Sequence, residues 1–139
     1  MPSIDRVIRG KGGVAAVEFA LVAPVFLFLL FGMIAHGIFF GAAHSVHQLA
    51  ANSPRAAMGG FDLSERELLV REQVAATVAS DNLLHEPYLT VLVEDEDSDF
   101  VRVTVTYDAR QLPIWNLYQG LPLPEQTITR SAVIRTGGY

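Results

Sequence analysis

The chain has 139 residues, half of them hydrophobic, with 15 acidic against 10 basic residues and no cysteine. A net charge of −5 argues against a nucleic-acid-binding protein, because contact with phosphates requires a basic surface. The absence of cysteine excludes disulfide scaffolds and thiolate metal or redox sites. The length allows one small domain, or one domain with an appendage.

The most apolar part of the chain is residues 19–43, a run without a formal charge. As a helix, residues 19–40 would span roughly 33 Å, enough to cross a bilayer. Before Glu18 the chain has three basic residues and one acidic residue, whereas seven arginines and thirteen carboxylates follow the run. The positive-inside rule therefore places the N-terminus in the cytoplasm and residues from about 44 onward outside.

Three kinds of N-terminal segment have such a charge pattern. A secretory signal peptide cleaved near residues 41–43 would need a shorter apolar stretch, of about 7–15 residues. A plain signal anchor fits the length but does not explain Glu18, because an ionised group inside the bilayer costs on the order of 3 kcal/mol. A prepilin-type leader is the third possibility, and it accounts for Glu18.

The segment RGKGGVAAVEFALVAPVFLFLLFG resembles the class III signal peptides of type IV pilin-like proteins, which a peptidase cleaves after a glycine. Cleavage between Gly13 and Val14 would leave Glu18 at the fifth mature position, directly before the aromatic Phe19. The A-V-E-F and A-L-V-x-P motifs and the Leu/Phe-rich continuation are similar to those of the TadE-like family, pilin-like assembly proteins of tight-adherence (Flp) pili. The resemblance covers roughly residues 9–41.

The resemblance implies processing at Gly13 and Val14 and a subunit contact through Glu18 and Phe19. It also implies a prepilin peptidase, other pilin-like subunits and the inner-membrane secretion platform with its ATPase as partners. In pilin-like proteins the glutamate is thought to pair with the new amino group of a neighbouring subunit. A carboxylate paired with an ammonium is tolerated in a low-dielectric environment. The alternative is that Glu18 lies solvated at the headgroups and marks the start of the helix.

Small residues and one proline interrupt the apolar run. Pro24 removes a helix hydrogen bond, so we expect a kink there. Gly37 and Gly41 form a GxxxG motif that Ser45 extends by one turn. Such a stripe allows close helix–helix packing in a membrane.

The rest of the chain predicts an α+β domain. The long helix is expected to run from about residue 14 to 58 with a bend near Pro54, and a second helix from Ser64, capped with Glu67, to about 84. Its apolar stripe is residues 68, 69, 74, 75, 78 and 79. Residues 88–93, 100–107 and 126–136 predict a three-stranded antiparallel sheet, in which Val103 faces the core and Thr104 faces solvent. The second helix is expected to pack on this sheet.

No group of residues in the sequence indicates catalysis. Residues 94–99 alternate carboxylates as in a Ca²⁺ loop, but Phe100 and Thr106 occupy the positions that require glycine and glutamate, so we predict a solvated hairpin turn. His44 and His47 have no third metal ligand nearby in sequence. Trp115, with Tyr118, is expected either to cap the core or to lie at the headgroups, and we favour the core. The sequence therefore predicts no enzyme, no cofactor, no metal site, and no nucleic-acid or small-molecule ligand.

These observations divide the chain into a cytoplasmic leader (1–13), a transmembrane and assembly helix (14–43) and an exported domain (44–139). The predicted function is that of a pilin-like component for assembly of tight-adherence pili, anchored in the inner membrane. The alternative is an uncleaved single-pass envelope protein whose outer domain binds a ligand or senses the envelope. Gly13 with Glu18 favours the first interpretation, because a sensor requires neither. A domain released after Ala43 is a third and weaker possibility.

Overall fold

The computed structural model describes residues 11–97, 99–117 and 124–136. Two helices, α1 (Lys11–Ala57) and α2 (Leu63–Val78), precede three strands, β1 (Leu89–Asp97), β2 (Phe100–Asp108) and β3 (Thr127–Arg135). Short 3₁₀ turns lie at Glu86–Tyr88, Ala109–Gln111 and Trp115–Leu117. The predicted α+β fold, a long N-terminal helix with a second helix and a three-stranded antiparallel sheet, is confirmed.

Helix α1 is one continuous element of 47 residues, about 70 Å long at the usual rise per residue. It continues through both Pro24 and Pro54 and ends at Ala57. Its two halves have different surroundings. No residue from 13 to 34 is buried, whereas from Ala35 onward one side of the helix enters the core. The buried apolar residues of this second half are Ala35, Ala42, Val46, Leu49, Ala50 and Ala57.

The sheet has the order β1-β2-β3 with antiparallel pairing throughout. The central strand alternates strictly, because it has one face against the helices and one toward solvent. The predicted faces are confirmed: Val103 is fully buried, and Thr104 lies on the opposite, half-exposed face. Helix α2 packs on β1, as expected of the second helix, but the second half of α1 covers β2 and β3. The long helix is therefore the main partner of the sheet.

The start of α2 differs from the predicted cap. Asp62, not Ser64, is the N-cap, and its carboxylate accepts a 2.8 Å hydrogen bond from the Glu65 N–H. The Glu65 carboxylate in turn accepts one at 2.8 Å from the N–H of Phe61, the residue before the cap, so the arrangement is a variant of the capping box placed two residues earlier than predicted. The chain turns so tightly at Gly60 that a Cβ there would lie 2.7 Å from the Arg66 nitrogen. Because the chain returns so closely on itself at Gly60, α2 begins before the position predicted from the sequence.

The end of α2 also differs from the prediction, since the helix stops at Val78 rather than near residue 84. The Asp81 carboxylate accepts hydrogen bonds from the N–H groups of Leu83 (2.7 Å) and Leu84 (3.1 Å), which holds that segment in a turn. The predicted apolar stripe is wrong at Leu68 and Ala79, which are exposed, and it omits the buried Val70. Val74 and Val78 are buried as predicted.

The prediction of a hairpin turn at residues 94–99 is wrong for the first part of that segment, because residues 94–97 continue β1 with a bulge. Arginines on neighbouring elements form ion pairs with two of these carboxylates. Arg66 of α2 lies 2.9 Å from Asp95, and Arg102 of β2 lies 2.5 Å from Glu96. The strand can therefore extend to its tip without unopposed repulsion between its carboxylates.

Candidate functional site

The exposed half of α1 is the most conspicuous surface of the molecule. Within the described residues, Gly13–Ala57 is the one helix long and apolar enough to cross a membrane, with a mean hydropathy of 2.5 in its most apolar window and none of that window buried. Side chains on every side of it are open, among them Leu21 (71%), Phe26 (60%) and Met33 (70%). Apolar surface of this extent is unfavourable in water, so the helix fits a single-pass membrane anchor.

The residues assigned to processing and assembly lie together at the start of this exposed half. Gly13 and Glu18 are exposed, and Val14 and Phe19 are 65% and 73% exposed. Val14 and Glu18 are four positions apart, which is about one helical turn. No hydrogen-bond partner of the Glu18 carboxylate appears among the described residues. The geometry leaves all four residues open to contact with another molecule.

The packed domain begins before the end of the apolar run. Ala35 is 1% exposed, and Ile38, Phe39 and Trp115 pack against the same core cluster. The side of α1 away from the domain remains open, since Phe40 is 64% exposed. The stretch that the domain leaves uncovered, residues 14–34, is about 31 Å long, close to the thickness of a bilayer core.

The three positions of the small-residue stripe have different surroundings. A Cβ at Gly37 would meet no atom within 4 Å, so this position faces open space. A Cβ at Gly41 would lie 3.0 Å from Leu83 Cδ1, and the Ser45 hydroxyl hydrogen-bonds to the Asp81 carboxylate. Gly41 and Ser45 therefore contact the segment after α2 within the same chain.

Asp81 is the centre of a polar contact between α1 and the segment that follows α2. Burial raises the pKa of its carboxyl, but hydrogen bonds from Leu83, Ser45 and Leu84 outweigh burial and hold the pKa below its ordinary value. Next to it, the Tyr107 hydroxyl donates to the Leu83 carbonyl at 3.3 Å. Burial raises the pKa of this phenol. Sequence analysis missed this contact, because it placed Asp81 inside the second helix, which was predicted to run to about residue 84 but ends at Val78.

The remaining candidates do not form a chemical site. The His44 ring nitrogen Nε2 accepts from Gln48 Nε2 at 2.9 Å. Trp115 Nε1 donates to the Ala109 carbonyl at 2.7 Å and its ring packs on the core, as favoured from the sequence. Tyr118 lies outside the described residues. In the part of the chain that the structure describes, no three His, Asp or Glu side chains are grouped to hold a metal ion.

Comparison with known proteins gives one match. The family model described as TadE-like protein matches residues 13–53, from the glycine of the candidate processing site to the buried Ser53 of α1. No curated protein and no solved structure matches the chain. The match covers the exposed half of α1 and most of its packed half, and it confirms the resemblance. Residues 13–53 are thus similar to the TadE-like family, and this similarity suggests a pilus-associated protein of the Tad system.

Proposed function

We propose that the protein is a membrane-anchored, pilin-like subunit that assists assembly of tight-adherence pili through helix contacts with other pilin-like subunits. The observation that carries this proposal is the continuity of α1. Its exposed apolar half passes without a break into the core of the α+β domain, hereafter the head (residues 35–136).

The uncovered length of α1 supports a membrane segment that ends near residue 34. The positive residues before it and the acidic head after it support an N-terminus in the cytoplasm and a head outside the inner membrane. In this arrangement Glu18 lies near the cytoplasmic end of the span. The residues from 35 onward, including the Asp81 contact, lie outside.

Assembly is proposed to begin with cleavage between Gly13 and Val14 by a prepilin peptidase. The new ammonium group of one subunit would then attract Glu18 of a neighbour, with Phe19 packing beside it. Both side chains are exposed, so they are available for this contact. The open position at Gly37 permits a second helix to approach the same face of α1. No step of this function requires catalysis by the chain itself.

The alternatives make different demands on the helix. An uncleaved envelope protein would keep its leader and would have no use for a glutamate at residue 18. A head released after Ala43 would lose the part of α1 that contains the buried Ala35 and Ala42, so its core would be incomplete. Continuity of α1 therefore disfavours release.

The N-terminal residue of the protein in the membrane fraction tests the proposal. Mass spectrometry should find Val14 as the first residue in cells that contain an active prepilin peptidase. The variant Gly13→Leu should accumulate at full length in the same fraction. An intact leader on the unaltered chain in those cells would contradict the proposal and favour the uncleaved envelope protein.

A further inference from the structure

Within the part of the chain that the structure describes, both edges of the sheet carry backbone groups that no other strand pairs with. In an antiparallel ladder, alternate residues exchange hydrogen bonds with the neighbouring strand. The ladder between β2 and β3 continues at its ends through Ala109 N–H to Gln126 O (2.8 Å) and Thr136 N–H to Asp99 O (2.6 Å), which fixes this alternation. The even-numbered residues of β3 therefore bond to β2, and the odd-numbered ones direct N–H and C=O outward.

The same alternation applies on the other side of the sheet. Because odd residues of β2 bond to β3, its even residues bond to β1, at Thr90, Leu92 and Glu94. Val91 and Val93 then direct their backbone groups away from the sheet. Among the described residues, no backbone group pairs with these outward groups of β1 or β3. An unpaired edge of this kind is a template for another strand.

We propose that heads of neighbouring copies associate by pairing the β3 edge of one copy with the β1 edge of the next, as parallel strands. The inference rests on the proposed anchoring of every copy in one membrane with the same orientation. It goes beyond that function because it assigns a contact between heads, in addition to the contact between helices.

The direction of the strands selects this arrangement. Tyr107 at the end of β2 contacts Leu83, which lies against Gly41 near the membrane side of the head. Asp95 near the end of β1 contacts Arg66, beside the turn at Gly60 at the far end of α1. Strands β1 and β3 are both antiparallel to β2, so both run away from the membrane. Two β3 edges could pair antiparallel only if the two anchors pointed in opposite directions.

The positions of the residues along the two edge strands also agree with parallel pairing. Across β2, Leu92 and Ser131 are both level with Thr104. In two copies at equal height, Ser131 of one copy therefore faces Leu92 of the next. In a parallel pair a residue bonds to the two neighbours of the residue it faces, which here are Val91 and Val93. These two are the residues whose backbone groups point outward, so no vertical shift is needed.

The charges of the two edges are complementary. β3 carries Arg130 and Arg135 and no carboxylate, whereas the last four residues of β1, 94–97, are all acidic. Through Phe100, Arg135 is level with Asp97, and within its own chain its guanidinium lies 3.6 Å from the half-exposed carboxylate of Asp99. Such a contact joins two different edges, so it repeats from copy to copy and builds a ring or filament rather than a closed dimer.

Arg130 controls access to the β3 edge. It lies at an inward register position of an edge strand, where a charge hinders indiscriminate pairing. Its guanidinium donates to the Thr129 carbonyl at 2.7 Å, one of the outward acceptors. A strand that docks must displace this hydrogen bond.

Engineered cysteines in the full-length, membrane-anchored protein test the pairing, because the chain has no cysteine of its own. Two differently tagged copies, one Ser131→Cys and one Leu92→Cys, should form a disulfide that joins the two tags, since facing residues lie within disulfide range. Within one chain these positions are two strand spacings apart, about 10 Å, too far for a disulfide. Lack of the mixed disulfide in membranes that contain both copies would overturn the proposal.

Two cysteine controls define the register. Ser131→Cys with Thr90→Cys is offset by two residues and should cross-link at least fivefold less than the facing pair. Ser131→Cys alone should give little homodimer. A prominent homodimer of that variant would indicate antiparallel β3–β3 pairing centred on Ser131 and would overturn the parallel arrangement.

A proline on the edge separates pairing from folding. Ser131→Pro removes an outward N–H and leaves the β2–β3 ladder intact, so the melting temperature of the head should change little. Cross-linking between Thr129→Cys and Thr90→Cys should nevertheless fall at least fivefold. Ala132→Pro, which removes a hydrogen bond to Val103, should lower the melting temperature. Unchanged cross-linking in Ser131→Pro would overturn the proposal, and none of these readouts depends on cleavage at Gly13.

Discussion

Gly41 of α1 and Leu83 of the segment after α2 are in such close contact that a Cβ at residue 41 would lie 3.0 Å from Leu83 Cδ1. This contact, with the Asp81 carboxylate bonded to Ser45 beside it, joins α1 to the segment that follows α2. Gly37, one turn earlier on the same stripe, faces open space. Two glycines of one GxxxG motif thus have different roles.

Replacing these glycines with leucine should separate the two roles. Gly41→Leu overfills the contact with Leu83 and should destabilise the head by about 1–3 kcal/mol. Gly37→Leu should leave head stability nearly unchanged, because nothing lies within 4 Å of that position. Thermal unfolding of the detergent-solubilised protein measures both. Equal losses of stability at the two positions would contradict the intramolecular contact at Gly41.

The N-cap of α2 offers a second matched pair. Asp62→Ala removes the acceptor of the Glu65 N–H and should cost about 1 kcal/mol. Ser64→Ala, at the position that the sequence predicted as the cap, should change stability by less than about 0.5 kcal/mol. Denaturant unfolding measures both changes in the free energy of unfolding, provided that the curves of the variants and the unaltered protein have the same m-value. A larger loss of stability in Ser64→Ala than in Asp62→Ala would indicate that Ser64 is the N-cap, as the sequence predicted.

This cap shows why the sequence predicts the elements better than their ends. Asp62 with Glu65 and Ser64 with Glu67 both have the spacing of a capping box. Local pattern cannot choose between them, because the choice is made by the tight return at Gly60 against Arg66. Gly60 and Arg66 are six residues apart, and the backbone turn that brings them together is not encoded by the spacing of the cap residues. The strands were easier to predict, since period-2 alternation in β2 reports directly on burial.

The candidate site, too, could be predicted from the sequence only in part. Gly13, Glu18 and Phe19 were identified from the resemblance to prepilin-type leaders, and the structure places them on one exposed stretch of helix. The residue at which the exposed half of α1 ends and the head begins could not be found from the local sequence. Ala35 is buried in the head and Phe40 is open, yet both belong to one apolar run, because lipid and protein core select the same kind of side chain.

The two faces of β2 predict opposite responses to a charge. Val103→Asp places an unpaired carboxylate at a fully buried position, which should cost several kcal/mol and unfold the head. Thr104→Asp lies on the half-exposed face and should be nearly silent. Circular dichroism and limited proteolysis of the head report both. Similar damage from the two substitutions would contradict the assignment of faces.

Asp81 should make head stability sensitive to acid. Its pKa in the folded state is below its ordinary value of 3.8, so the unfolded chain takes up a proton first as the pH falls. The stabilisation is present above that value and is lost as the pH falls through the folded-state pKa. Ser45→Ala removes one of the lowering hydrogen bonds and should reduce stability at pH 7 more than at pH 3. Unfolding free energies measured across this range test the sign, and an equal loss at both pH values would contradict it.

The last prediction separates assembly from anchoring. Glu18→Gln keeps the shape of the side chain and removes its charge, so a neutral amide enters lipid more easily while the attraction for a neighbour's ammonium is lost. Membrane insertion should persist, whereas pilus production and co-purification with other pilin-like subunits should fall. Glu18→Lys should be worse, because it places two cations together at low dielectric. Glu72→Gln, an exposed carboxylate of α2, controls for charge loss alone. Normal pilus production by Glu18→Gln would favour a solvated glutamate on an anchored envelope protein.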